Sequence, residues 1–83
     1  MGPEPAYRCP CCTYRTLYER GRFEICPVCY WEDDGQDDAD ADTVRGGPNG
    51  SLSLSQARAN YGMYGVYDLK YREHVREPRS VEL

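Results

Sequence analysis

The sequence is short of nearly everything that builds an ordinary hydrophobic core. Among its 83 residues, Leu, Ile, Val and Phe number only twelve, and mean hydropathy is −0.81. So few aliphatic side chains put a chain on the disordered side of the composition boundary unless something else holds it together. No long apolar run is present, which excludes a helical membrane span. The opening Met1-Gly2-Pro3-Glu4-Pro5 lacks the apolar segment of a secretory signal, so a cytoplasmic location is expected. There is a single histidine, His74, and no histidine–nucleophile pair stands out; enzymatic catalysis is not expected.

Cysteine is the residue in relative excess, with five in 83 positions. Four of them fall into two Cys-x-x-Cys pairs, Cys9/Cys12 and Cys26/Cys29, with thirteen residues between Cys12 and Cys26. That spacing is a strong signature for a four-thiolate metal site. Each pair turns the backbone tightly enough to aim two sulfurs at one point. Pro10 and Pro27 fix φ directly after the first cysteine of each pair, so less entropy is lost when the turn forms. Disulfides are the alternative use of such pairs, but an odd cysteine count and a reducing compartment favour metal. Zn²⁺ is the preferred ion, with iron in a rubredoxin-like shell as the alternative; the segment joining the pairs is short for a rubredoxin. Four cysteines leave no open coordination position, so the site is expected to be structural.

Such an ion supplies what the composition lacks. Structural zinc contributes roughly 10–16 kcal/mol of apparent binding free energy, against a typical domain stability of about 5–15 kcal/mol. The metal-free chain is therefore expected to lose its tertiary structure. Eight tyrosines and one tryptophan add buried area.

Along the chain, residues 1–6 read as a disordered, proline-rich leader. Thr13–Tyr18 and Arg22–Ile25 read as strands joined by the turn Glu19-Arg20-Gly21, a hairpin that would deliver Cys26 opposite Cys12. Leu17, Phe23, Ile25 and Val28 would form its apolar side. Residues 7–31 thus make a zinc-ribbon unit, with Trp31 expected to pack over the metal site. Residues 32–50 read as an acidic and glycine-rich loop. Asp38, Asp40 and Asp42 alternate like an EF-hand opening, but Thr43 and Asn49 stand where that loop needs glycine and glutamate. A solvated acidic loop is the simpler reading. Residues 53–65 carry the clearest helix signal: Ser53 and Gln56 form a capping box, and Leu54, Ala57, Tyr61 and Tyr64 share one face. Gly65 is the expected stop. Tyr67, Leu69, Tyr71 and Val75 read as an extended segment, and residues 76–83 as a frayed tail. The expected fold is a small, metal-dependent α+β domain: zinc-ribbon or rubredoxin-like knuckles with a β-hairpin, and one C-terminal helix packed on it.

Charge is uneven. Net charge is +1 over residues 1–31, −7 over 32–42 and +2 over 43–83, giving −4 overall. Four thiolates around one Zn²⁺ would lower it to −6 by the same count. General affinity for a phosphate backbone is not expected from that balance.

Several motifs together resemble a known family. Cys9-Pro10-Cys11-Cys12, Ile25-Cys26-Pro27-Val28-Cys29-Tyr30-Trp31-Glu32-Asp33-Asp34-Gly35, Arg45-Gly46-Gly47 with Asn49, Ser53-Leu54 with Ala57 and Asn60-Tyr61, and Tyr64-Gly65 look like the bacterial cysteine-rich CPCC family. The similarity spans about residues 7–78. It implies a small metal-binding protein and carries no activity with it. Relatives have glycine where this chain has Thr13, and phenylalanine where it has Tyr30; neither position is a ligand.

The function expected from all this is a zinc-stabilised, monomeric protein-interaction or adaptor module, without membrane contact, whose ligands are Cys9, Cys12, Cys26 and Cys29. One alternative is nucleic-acid binding, through Arg8, Arg15, Arg20 and Arg22 interleaved with Tyr7, Tyr14, Tyr18 and Phe23. The other is a thiol redox sensor or metal buffer, in which Cys11 reacts beside the metal.

Overall fold

Each cysteine pair reverses the chain, and that local event decides which segments pair. In the computed structural model, which describes residues 4–83, β1 (Tyr7–Arg8) runs antiparallel to β2 (Arg15–Leu17) across the first knuckle, Cys9–Cys12. Cys9 N–H donates to Tyr14 O at 2.8 Å, and Thr13 N–H donates back to Cys9 O at 2.8 Å. The second knuckle, Cys26–Cys29, repeats this pattern. Cys26 N–H donates to Trp31 O at 2.9 Å, Tyr30 N–H to Cys26 O at 2.8 Å, and Ile25 faces Glu32 in an antiparallel bridge.

The pairing expected between residues 13–18 and 22–25 is therefore not formed. A tight knuckle brings its own flanks together first, so each segment finds its partner across its own cysteine turn. The two segments still meet, but through a side chain: Glu24 accepts from Tyr18 N–H at 2.9 Å and Glu19 N–H at 2.8 Å. The apolar side also differs. Leu17 and Val28 are buried, whereas Phe23 and Ile25 are 56% and 46% exposed. Of the expected leader, residues 1–3 lie outside the described residues; Ala6 extends the hairpin by donating to Leu17 O at 3.1 Å.

Helix α1 spans Leu54–Tyr64. The Ser53 side chain accepts from Gln56 N–H, and the Gln56 side chain accepts from Ser53 N–H, so two otherwise orphaned donors are satisfied. Gly65, at φ 74°, ends the helix in the left-handed region. Leu54 and Ala57 pack into the cysteine-rich core, Tyr61 is half-buried and Tyr64 exposed, so the covering face is narrower than the sequence stripe. Arg58 ties α1 to the first knuckle by donating through Nε to Pro10 O at 2.8 Å.

Past the helix, the expected extended segment is a 3₁₀ helix, Leu69–His74, capped by Asp68. Winding of this segment returns Tyr71 onto Tyr67, which stands just before the cap, with centroids 5.8 Å apart. The tail does not fray. Ser80–Glu82 forms a further 3₁₀ turn against β2, and buried Glu82 accepts from Arg76 at 2.9 and 2.8 Å. No helix among the described residues is long and apolar enough to cross a membrane.

Candidate metal centre

The two knuckles place Cys9, Cys12, Cys26 and Cys29 together, buried, with all four Sγ atoms within 4.8 Å of one another. Cys9 and Cys29 sulfurs lie 3.6 Å apart, and those of Cys12 and Cys26 3.7 Å apart. A Zn–S bond of about 2.3 Å gives a tetrahedral edge of about 3.8 Å. The spacing fits a four-sulfur shell around one ion.

The surroundings are polar where sulfur needs donors. Thr16 Oγ1–H donates to Cys26 Sγ at 3.0 Å, and Trp31 N–H donates to Cys29 Sγ at 3.4 Å. Such contacts orient ligands and stabilise thiolate charge. Crowding divides the four thiols electrostatically. Hydrogen bonds from Cys12, then Cys29 and Cys9, pull the Cys26 thiol far below its ordinary range. Cys9 and Cys12 are pushed far up, first by hydrogen bonds to neighbouring cysteines, and Cys29 first by burial. Four thiolates gathered in one buried place need a cation to neutralise their accumulated negative charge.

Cys11 sits inside the first knuckle but outside the four-sulfur cluster, and is only 5% exposed. His74 is also outside it. Its ring stacks on Tyr30 with centroids 5.3 Å apart. Trp31 is fully buried and meets Tyr67 edge-on at 5.6 Å, while Tyr30 packs on Tyr71 at 4.7 Å. Tyr67 N–H donates to Cys29 O at 2.9 Å, so this aromatic stack covers the second knuckle directly.

The acidic loop is not simply solvated. Asp33 is fully buried and accepts from Arg20 Nε at 2.9 Å, Gly21 N–H at 2.7 Å and Gly35 N–H at 3.1 Å. Arg20 also holds Asp37 at 2.8 Å, which keeps the Asp37 carboxyl below the usual range. Asp38 pairs with Arg58, Asp40 with Arg45, and Asp42 accepts from Ser55 Oγ. The three alternating aspartates thus serve three different partners. Gln36, fully buried, joins the loop ends through Nε2 to Asp40 O and Thr43 O at 2.9 and 2.6 Å. Asn49 is equally structural, bonding Glu32 N–H through Oδ1 at 3.2 Å and Glu32 O through Nδ2 at 2.8 Å. Neither role is visible locally in the sequence, apart from two amide residues set among turn formers.

Of the basic and aromatic residues considered for nucleic acid, Arg20 is committed to the loop and Tyr14 packs edge-on against Tyr61 at 6.5 Å. Arg8 is turned to Thr13 O and Leu83 O. Arg15, Arg22, Tyr7, Tyr18 and Phe23 remain exposed.

Fold and site together define a small α+β protein built around a cluster of four cysteines able to hold a metal ion. Residues 7–82 match the family model described as Cysteine-rich CPCC, and the chain belongs to that family. No curated protein and no solved structure matches the chain.

Proposed function

We propose that the cluster holds one Zn²⁺ in a closed, structural site of the zinc-ribbon type, and that the protein is an interaction module whose surface this ion keeps in shape. The observation that carries the reading is four buried sulfurs at tetrahedral spacing in a chain with few other large apolar side chains at its centre. Zinc is preferred to iron because the linker between knuckles is short for a rubredoxin. With every position taken by sulfur, the ion would hold the fold rather than meet a substrate. The protein would act as a monomer in a reducing, cytoplasmic setting, where its thiols stay available to metal.

Native mass spectrometry of the purified chain tests the first half. One Zn²⁺ per chain with no disulfide is expected; a folded, ion-free chain would overturn it. A tagged pull-down with and without chelator tests the second half, and capture that survives metal removal unchanged would count against it. A second reading, nucleic-acid binding, is favoured by one feature. Arg15 on the first hairpin is exposed together with Tyr7, Tyr18 and Phe23, a cation among aromatic faces of the kind that phosphate contact and base stacking use. Salt-dependent binding in an RNA or DNA titration supports that reading, and no binding at low salt removes it.

A further inference from the structure

The second hairpin leaves one stretch of main chain unpaired. The hydrogen bonds Cys26 N–H to Trp31 O and Asp33 N–H to Glu24 O flank the Ile25–Glu32 pair. Both residues therefore point their own N–H and C=O away from each other. On the Glu32 side the Asn49 amide fills both positions, standing in for a neighbouring strand. Among the described residues, the Ile25 groups have no protein partner.

Ile25 lines a groove of about 370 Å³ shared with Tyr18, Pro27, Arg79 and Val81. Ile25, Tyr18 and Val81 are 46%, 54% and 53% exposed, so three large apolar side chains stand open around one bare backbone position. The chain's own tail covers this edge only at Pro27, whose carbonyl accepts from Arg76 N–H at 3.2 Å. From there the tail turns into the 3₁₀ segment Ser80–Glu82, which forms the groove's far wall. Two of the acidic groups in the lining are already used. Glu24 accepts from Tyr18 and Glu19 N–H, and Glu82 from Arg76 and Arg79 N–H. The Arg79 guanidinium has no ion-pair partner among the described residues, and Glu4 is the remaining acid of the lining.

We propose that this groove is a docking surface for an extended peptide segment of a partner protein, which pairs its main chain with Ile25, seats an apolar side chain between Tyr18, Ile25 and Val81, and presents a carboxylate to Arg79. An extended peptide is the occupant because it offers an N–H and a C=O at strand spacing beside alternating side chains. The carboxylate follows from the uncommitted guanidinium. The proposal rests on the interaction-module reading and locates its surface.

The probe is a phage-displayed library of random dodecapeptides, selected on the full zinc-loaded chain. Enriched sequences are expected to carry a β-branched or aromatic residue within two positions of Asp or Glu. A synthetic peptide of the enriched sequence should shift the Ile25, Tyr18 and Val81 amide resonances. Its affinity should fall by about tenfold or more with Ile25→Asp and less with Arg79→Glu. Both substitutions lie at exposed positions, so unchanged amide dispersion will show that the variants fold. Peptides that bind Ile25→Asp as well as the original chain overturn the groove and leave the interaction reading standing. No enriched peptide at all overturns the groove as a peptide site, and the interaction reading is then decided separately by the pull-down.

Discussion

The two knuckles share a backbone and differ in what covers them. In each, the first cysteine donates to a carbonyl five residues on and receives an N–H from four residues on, at 2.8–2.9 Å. Thr13 and Tyr30, each directly after its second cysteine, both sit in the left-handed region at φ 71° and 74°. Each proline carbonyl accepts from an arginine: Pro10 O from Arg58 Nε, and Pro27 O from Arg76 N–H. Beyond that the halves part. The first knuckle leans on α1, and its hairpin leaves Arg8 and Arg15 exposed. The second is roofed by Trp31, Tyr67, Tyr71 and Tyr30, and braced by buried Asp33. Aiming two sulfurs at one point fixes a short turn; whatever packs on that turn comes from elsewhere in the chain.

The strongest break in the comparison is removal of the ion that would join the halves. Chelation is expected to unfold both together, since roughly 10–16 kcal/mol of metal binding exceeds or matches a typical stability of about 5–15 kcal/mol. Loss of near-ultraviolet circular dichroism and of amide dispersion checks this; a half that keeps its dispersion would show it folds alone. Next in size is Asp33→Ala, which strips a buried acceptor from three donors and should cost about 3 kcal/mol in denaturant midpoint analysis of the metal-loaded protein.

A smaller test separates the knuckles directly. Thr13 is β-branched and exposed at positive φ, so Thr13→Gly should stabilise by about 0.5–1 kcal/mol. Tyr30→Gly relieves the same strain but removes the contacts with Tyr71 and His74, and should destabilise by about 1 kcal/mol. Thermal melts of the two variants moving in the same direction would deny the asymmetry. The least effect is expected at the tail. Arg76, then the Arg79 N–H, hold the Glu82 carboxyl below the usual glutamate range. Docking of the tail is then intact above the ordinary carboxylate pKa and lost as pH falls through the lowered value. Glu82→Gln should flatten that acid limb, read from tail amide shifts so that thiolate protonation at the cluster does not mask it.

Caps and stops completed within one turn of chain carry over into the structure, and so does the four-cysteine cluster, marked by its repeated pair spacing, whereas pairings and extended segments set by distant contacts do not. The Ser53–Gln56 box and the Gly65 stop are complete within a single turn of chain, which is why they are legible. The strand pairing differs from the expected one because two segments of suitable composition lie side by side in sequence, while each has a nearer partner across its own cysteine turn. The acidic run reads as solvated in the sequence because its counter-charges, Arg20, Arg45 and Arg58, lie apart from it or are scattered after it. The staple roles of Gln36 and Asn49 are not legible in the sequence, since an amide's value as a staple depends on which backbone groups come near it.

By itself, then, the order of residues determined how each cysteine pair turns and where the helix begins and stops, because these need only near neighbours, and the twice-repeated pair spacing marked which four cysteines could share an ion. Tertiary structure alone decided the rest: that the four sulfurs converge at tetrahedral spacing, that Trp31 and Tyr67 roof one knuckle while α1 braces the other, that a loop with seven carboxylates is knit by arginines, and that Ile25 stands bare beside a groove. Those outcomes depend on contacts between residues far apart in the chain, and such contacts form only when the whole polymer has been brought together around its cysteine centre.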